Sequence, residues 1–132
     1  MTCLKKIKQN VECIIEEFGF NLLESKFSKE NFGNARISVI SGNLILIFYC
    51  DRSQGYICIA DSKLPTEEYD IPLIVQWLNG SGDDVMEYDA QYDFLKQSIK
   101  VLEESFLINN YQETHSKLKC NRKNRMHRRL GF

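Results

Sequence analysis

Two segments of the chain place a hydrophobic residue at every third or fourth position, which is the spacing of an amphipathic helix. In the first segment these residues are Leu4, Ile7, Val11, Ile14 and Phe18. In the second they are Tyr88, Tyr92, Leu95, Ile99, Leu102 and Phe106. Thr2 can cap the start of the first helix, and Gly19 can end it. We expect the second helix to end near residues 109–110.

Between these helices the pattern changes to short runs of β-branched and aromatic residues, which are typical of strands. The runs are residues 35–41, 43–50 and 56–60. A further short strand is predicted over residues 21–27, in which Leu23 and Phe27 share a face. Gly42-Asn43 fits a two-residue hairpin turn, and residues 53–55 fit a three-residue loop with Gly55 in the left-handed conformation. The pattern predicts an antiparallel β-meander of three to five strands with helices packed on it.

The two turns also determine which strand residues should lie opposite each other. The first sets Val39 opposite Leu46, and the second sets Cys50 opposite Cys58. In this register both faces are apolar, whereas an antiparallel sheet with one solvated face alternates apolar and polar residues. One predicted face carries Ile37, Val39, Leu44, Leu46, Phe48, Cys50, Cys58 and Ala60, and the other carries Ile40, Ile45, Ile47, Tyr49, Ile57 and Ile59. We expect helices to cover both faces; the alternative is that one face binds a partner.

A shorter helix is predicted over residues 71–79. Asp70 can serve as its N-cap, Pro72 fits its first turn, and Gly80 follows its last residue. Strands and helices are thus both expected, in a chain of 132 residues, which is the length of one domain. We predict a single α+β domain over residues 1–132.

The cysteines and the apolar runs indicate the cellular compartment. The five cysteines are an odd number with no CxxC pair, so neither a disulfide framework nor a zinc site is predicted. The first 15 residues contain no continuous apolar segment of the kind found in signal peptides. The longest apolar run, residues 44–50, is far shorter than the ~20 residues that a membrane-spanning helix needs. We expect a cytoplasmic protein with reduced thiols and no membrane association.

Charge is divided unevenly along the chain. Residues 117–129 contain seven of the 17 Lys and Arg residues and no acid, whereas all 18 Asp and Glu residues precede them. Residues 61–93 contain nine acids and a single basic residue, Lys63. Residues 111–132 are predicted as a further helix or as a basic tail, and the tail would comprise residues 117–132. The basic segment can remain in solvent or fold back on the acidic surface.

No group of residues has the spacing of a catalytic centre. His115 and His127 lie in or beside the basic segment, and we expect both to be solvated tail residues. The acids between residues 83 and 89 could bind a hard cation, but the glycine and glutamate that an EF-hand loop needs are missing. We predict no enzymatic activity, no metal site and no cofactor.

The acidic segment is predicted to bind a basic protein. A dense negative surface accelerates association with such a partner, and tyrosines are frequent anchors of protein interfaces. The predicted partner-binding residues are Glu67, Glu68, Tyr69, Asp83, Asp84, Glu87, Tyr88 and Asp89. The alternative is a nucleic-acid-associated regulatory protein that acts through residues 117–129, although this segment has no aromatic residue on which a base could stack.

Two short motifs flank the predicted hairpin of residues 35–50. They are Phe32-Gly33-Asn34 before the hairpin, and Asp51-Arg52 with Gln54 in the turn after it. This arrangement, within residues 18–60, resembles small bacterial proteins of polymorphic-toxin loci, among them immunity proteins of contact-dependent growth inhibition systems. The resemblance implies a non-enzymatic, cytosolic protein that neutralises one cognate toxin domain, commonly a nuclease, by stoichiometric binding. It leaves the oligomeric state open, and it does not include the basic segment.

Overall fold

The computed structural model describes residues 2–28, 34–106 and 111–131, apart from the side chain of Tyr111. Five strands form one antiparallel sheet whose spatial order follows the chain, so the sheet is a meander. The strands are β1 (Asn21–Ser28), β2 (Asn34–Ser41), β3 (Leu44–Asp51), β4 (Gln54–Asp61) and β5 (Leu64–Asp70). The helices are α1 (Cys3–Phe18), α2 (Ile71–Asn79), α3 (Tyr88–Ser105) and α4 (Tyr111–Leu130). The predicted α+β class and β-meander are confirmed.

The caps of α1 and α2 are those that the sequence predicts. The Thr2 hydroxyl and the Asp70 carboxylate each accept a hydrogen bond from an amide of the first turn, at 3.2 and 3.0 Å. Gly19 and Gly80 follow the two helices with φ of +73° and +80°, a conformation that glycine adopts without steric cost. The predicted end of the second long helix at residues 109–110 lies outside the described residues.

The main hydrophobic core lies between one face of the sheet and all four helices. On the sheet, the completely buried residues of the two central strands are Leu44, Leu46, Phe48, Ile57 and Ile59. The helices contribute the equally buried Ile7, Ile14, Ile71, Ile74, Leu95, Leu102 and Leu118. Burial of each such side chain contributes roughly 1.5–3 kcal/mol, so this core holds the helices on the sheet.

The hairpin between β3 and β4 closes on a two-residue turn, so the predicted three-residue loop is wrong. Arg52 and Ser53 have φ of +52° and +65°, as both central residues of a type I′ turn require. Gly55 lies in β4, opposite Cys50. The Asn34 side chain stabilises the turn by accepting a hydrogen bond from the Arg52 amide at 2.9 Å. Asn and Gly favour such turns, so the local sequence did not indicate this one.

The shorter turn changes the faces on which the residues of β4 lie. Cys58 is opposite Ile47, and the predicted pairing of Cys58 with Cys50 is wrong. Because side chains alternate along a strand, Ile57 and Ile59 join the main core, whereas Cys58 and Ala60 join the second face. The two-residue turn after β2 and the predicted register of β2 against β3 are confirmed.

The second face of the sheet carries a smaller hydrophobic cluster. Its buried members are Ile45, Ile47, Cys58 and Ala60. In the part of the chain that the structure describes, the apolar side chains packed against it are Ile40, Tyr49 and Tyr56, all from strands. No described helix contributes an apolar residue to this cluster, in contrast to the expectation that helices cover both faces.

β5 is the strand that the hydrophobic pattern did not predict. Its sequence, LPTEEYD, has no alternation of apolar residues and contains a proline and three acids. Pro65 has no N–H to donate and is tolerated because β5 lies at an edge of the sheet. For residues 111–132 the sequence predicted either a further helix or a basic tail. These residues are helical up to Leu130, so the helix is the correct alternative.

Candidate functional site

The acids of residues 61–93 meet the basic residues of α4 beside β5. The Arg122 guanidinium lies 3.4 Å from the Glu67 carboxylate and donates a hydrogen bond at 2.8 Å to the backbone carbonyl of Glu68. It also lies over the Tyr69 ring, 4.6 Å from the centroid, in a cation–π contact. Arg122 therefore attaches α4 to the edge of the sheet.

Two further arginines, spaced three residues apart, extend this contact to α2 and the loop after it. One guanidinium nitrogen of Arg125 donates to both carboxylate oxygens of Asp70, each at 2.8 Å. Arg128 lies 2.8 Å from the Asp84 carboxylate. Of the alternatives left open by the sequence, the basic segment thus folds back on the acidic surface, and much of the uneven charge is compensated within the chain.

Tyr69, one of the predicted partner-binding residues, is completely buried. Its hydroxyl lies 2.7 Å from Nδ1 of His115, and Nε2 of His115 lies 3.3 Å from the buried carboxylate of Asp61. Lys63 pairs with the other oxygen of Asp61 at 2.9 Å. The prediction that His115 is a solvated tail residue is wrong. The signal for its burial was Leu118, three residues further along the helix and also buried.

Glu68 belongs to a polar network on the second face of the sheet. Its carboxylate accepts a hydrogen bond from the Tyr49 hydroxyl and pairs with Arg36 at 3.4 Å. Burial, followed by the hydrogen bond to Glu68, raises the pKa of Tyr49 to about 12, so this hydroxyl is a donor at neutral pH. Tyr56 stacks on Tyr49 with ring centroids 4.6 Å apart. The predicted site residue Glu68 is therefore engaged within the fold.

The loop between α2 and α3 carries predicted acids that the fold leaves unpaired; we call residues 81–87 the acidic loop. Hydrogen bonds from Arg128 and Gln76 hold the Asp84 side chain in place. The same two hydrogen bonds, that from Arg128 first, lower the pKa of Asp84. Asp83 and Glu87 are exposed. Within the described residues no hydrogen bond or ion pair engages either carboxylate.

A cleft of about 480 Å³ opens beside the acidic loop, between the start of α1 and the β3–β4 turn. Val85 lies at this cleft with 77% of its surface exposed. A single exposed valine is ordinary on a protein surface, but this one adjoins a concave site together with Glu87 and Gln54. Gly55 forms part of the wall, where an added Cβ would lie only 2.9 Å from the Tyr88 ring.

The last two predicted site residues connect the cleft wall to α1. The Tyr88 hydroxyl donates a hydrogen bond to the Asn10 side chain at 2.6 Å, and burial raises the pKa of Tyr88. Asp89 is exposed and pairs with Lys6 at 3.0 Å. Exposed pairs contribute little to stability, so Asp89 can exchange Lys6 for a cation of a partner.

The side chains around the cleft are suited to binding. Burial, followed by a hydrogen bond with Cys50, raises the pKa of the Cys3 thiol in the lining to about 12. A thiol with this pKa is protonated at neutral pH and is a poor nucleophile. Residues 2–28, 34–106 and 111–131 contain no group of three or more His, Cys, Asp or Glu side chains that could hold a metal ion. The cleft lining offers the Glu87 carboxylate, the Lys6 ammonium, the Gln54 amide and the apolar side chains of Val85 and Met86.

The predicted site residues therefore divide into two sets. Glu87 and Tyr88 line the cleft, and Asp83 lies on the same loop as Glu87. Asp89 pairs with Lys6 of the cleft lining, and Asp84 supports the loop through Arg128. The β5 set, residues 67–69, is used in contacts with α4 and the second face. Sequence reasoning missed Val85 and the β3–β4 turn as parts of the same site.

The residues that carry the resemblance to toxin-locus proteins lie at this turn. Asp51 and Arg52 belong to the β3–β4 turn, and the Asn34 side chain stabilises this turn through hydrogen bonds to both. Gln54 lines the cleft. Phe32-Gly33 lie outside the described residues. The part of the motif that can be placed is thus adjacent to the acidic loop.

Comparisons of the chain with protein-family models, with curated proteins and with solved structures find no match. No helix in the described ranges is long and apolar enough to cross a membrane. Function is therefore inferred from the residues and the geometry of the acidic loop and the cleft.

Proposed function

We propose that this protein is an immunity protein that binds a cognate toxin domain of the nuclease class and neutralises it in the cytoplasm by stoichiometric inhibition. The observation that carries the proposal is the acidic loop. Asp83 and Glu87 have no ion-pair partner in the described chain, and they flank the exposed Val85 beside a cleft of about 480 Å³.

The chemistry of the acidic loop fits a basic protein surface. A nuclease domain is basic because its substrate is a polyanion, and complementary charge can raise association rates to about 10⁸ M⁻¹s⁻¹ at low ionic strength. Val85, two positions from both Asp83 and Glu87, adds exposed apolar area to the same loop. Because Arg128 and Gln76 already hold Asp84, less conformational entropy is lost when the loop binds.

The first experiment uses the gene immediately upstream of the one that encodes this protein. We expect that gene to encode a large secreted protein with a variable C-terminal domain. Co-expression should restore the growth of cells that produce this domain, and the two purified chains should form a 1:1 complex whose affinity falls with salt. A domain that is not toxic, or two chains that do not associate, would contradict the proposal.

A charge reversal tests the binding surface. Asp83→Lys with Glu87→Lys should weaken the complex at least about tenfold and reduce its salt dependence, because attraction at the loop becomes repulsion. Glu12→Lys with Glu16→Lys, on the exposed face of α1, is the control with the same change of charge. Equal effects of the two double variants would show that the acidic loop is not the interface.

The alternative, a regulatory protein that binds nucleic acid through residues 117–129, can be separated from this proposal. Three arginines of the segment are engaged with acids of the same chain. Lys117 pairs with Glu113 at 2.8 Å, and the other cations outside these contacts can be reversed together as Lys119→Glu, Lys123→Glu and Arg129→Glu. RNA binding that is measurable at two salt concentrations and lost in this variant would favour the alternative.

A further inference from the structure

The outer edge of β1 has no pairing partner in the described chain. Among the described residues, β1 is the first strand of the sheet and pairs only with β2, so the N–H and C=O groups of its other edge have no described strand partner. α1 packs chiefly over β2, β3 and β4, and at β1 its Lys8 ammonium lies over the Phe27 ring, 5.7 Å from the centroid. Such an edge is a template for another strand.

β1 is also unusually apolar for a solvated edge. Of the eight exposed large hydrophobic residues in the described chain, three lie on this one strand: Leu22 at 57%, Leu23 at 51% and Phe27 at 49% exposed. Protective edge strands carry charges or proline in place of such residues. An added strand would bury part of this apolar surface.

The charged residues of β1 are self-complementary. Lys26 lies 3.0 Å from Glu24, two residues before it on the same face. A lysine on an edge strand normally opposes pairing. When a second β1 is aligned antiparallel, with Ser25 opposite Ser25 of the copy, Glu24 of each chain lies opposite Lys26 of the other. The two pairs form a square of alternating charge, and Leu23 lies opposite Phe27 of the copy.

We propose that β1 is a homodimer interface, at which a second copy of this chain pairs antiparallel about a two-fold axis at Ser25 and continues the sheet. Cross-strand charge pairs and apolar pairs of this kind are the units that stabilise sheets. A bulge between Leu22 and Glu24 limits regular pairing at one end of the strand. Because a single short strand buries less than the ~1,200 Å² of a stable interface, the dimer is reversible and depends on concentration.

The test combines two opposite charge reversals in the full chain. Lys26→Glu alone and Glu24→Lys alone each place like charges opposite each other at two symmetric positions, so each should weaken the dimer at least about tenfold in sedimentation experiments. An equimolar mixture of the two variants should dimerise again, because only the heterodimer pairs opposite charges at both positions. Lys100→Glu, on the exposed face of α3, is the control and should leave dimerisation unchanged.

Three outcomes would overturn this proposal. They are a wild-type chain that stays monomeric at the highest concentration reached, a dimer that Lys26→Glu does not weaken, and a mixture of folded single variants that does not associate. Circular dichroism establishes that each variant is folded. Hydrogen exchange gives an independent readout, since the amides of β1 should gain protection as concentration rises. Protection that appears only when the toxin domain is added would assign the edge to that partner and not to a second copy.

Discussion

The two edge strands of the sheet, β1 and β5, differ in whether other parts of the chain contact their outer backbone groups. β5 is closed by the chain itself, because Pro65 has no N–H and Arg122 of α4 binds the carbonyl of Glu68. β1 has neither device and exposes Leu22 and Phe27. The acidic and basic segments, whose charge is most prominent in the sequence, therefore contact each other, whereas the outer edge of the apolar strand β1 has no described strand partner.

The largest expected effect comes from a Leu→Ala substitution, made once in α4, which packs beside β5, and once in β1. Leu118→Ala, on the buried face of α4, should lower the free energy of unfolding by about 3 kcal/mol, because it leaves a cavity in the core. Leu22→Ala on β1 should change it by less than about 0.5 kcal/mol. Urea denaturation at low protein concentration measures both changes in unfolding free energy. Similar changes would contradict the packing of α4 on the core beside β5.

The next effect comes from the ion pair between α4 and the cap of α2. The Arg125 side chain is only 14% exposed and contacts both oxygens of Asp70, so Arg125→Ala should cost about 2 kcal/mol of unfolding free energy. Arg125→Lys should recover part of this, since lysine keeps the positive charge but has a different length and geometry. Arg129→Ala, at an exposed position, is the control; a cost equal to that of Arg125→Ala would contradict the assignment.

A smaller effect is expected from the buried network of β5. Tyr69→Phe removes the hydroxyl and leaves Nδ1 of His115 without this partner, which should cost about 1–2 kcal/mol. Tyr56→Phe, on the half-buried second face, should cost less. Thermal unfolding of the two variants side by side makes the comparison, and equal losses would show that the hydroxyl of Tyr69 is not specifically used.

The smallest effect concerns pH. Because the hydrogen bond from Arg128 lowers the pKa of Asp84 below its ordinary value of 3.8, this pair stabilises the fold above that value. Its contribution is lost as the pH falls through the lowered pKa. The melting temperatures of wild type and Arg128→Ala should therefore differ slightly at neutral pH and converge in acid. A difference that does not shrink as the pH falls would have another origin than this carboxylate.

Local patterns in the sequence were sufficient for α1, α2 and the β2–β3 hairpin. Their determinants lie within a few residues, as with Thr2 and Gly19 at the ends of α1. The β3–β4 turn was missed because its stabilising residue, Asn34, lies 18 positions before Arg52. β5 was missed because its pairing and its contacts with α4, and not its own hydrophobicity, hold it in the sheet.

The candidate site was predictable only in part, for a similar reason. Composition identified the acidic residues, but it could not separate Asp83, which is free in the described chain, from Glu67, which is paired with Arg122. That distinction depends on where α4 lies. The spacing of Arg122, Arg125 and Arg128 at three-residue intervals was the available signal, since such residues lie near one another on a helix surface.

The position of α4 also has a consequence for synthesis on the ribosome. The carboxylates of residues 61–93 emerge before the arginines that neutralise them, and β5 emerges before the helix that closes its edge. A nascent chain that stops short of Arg122 therefore displays two open strand edges at once, a state prone to aggregation. Completion of the fold is delayed until α4 has been synthesised, and chaperone or protease surveillance would act on the molecule during that interval.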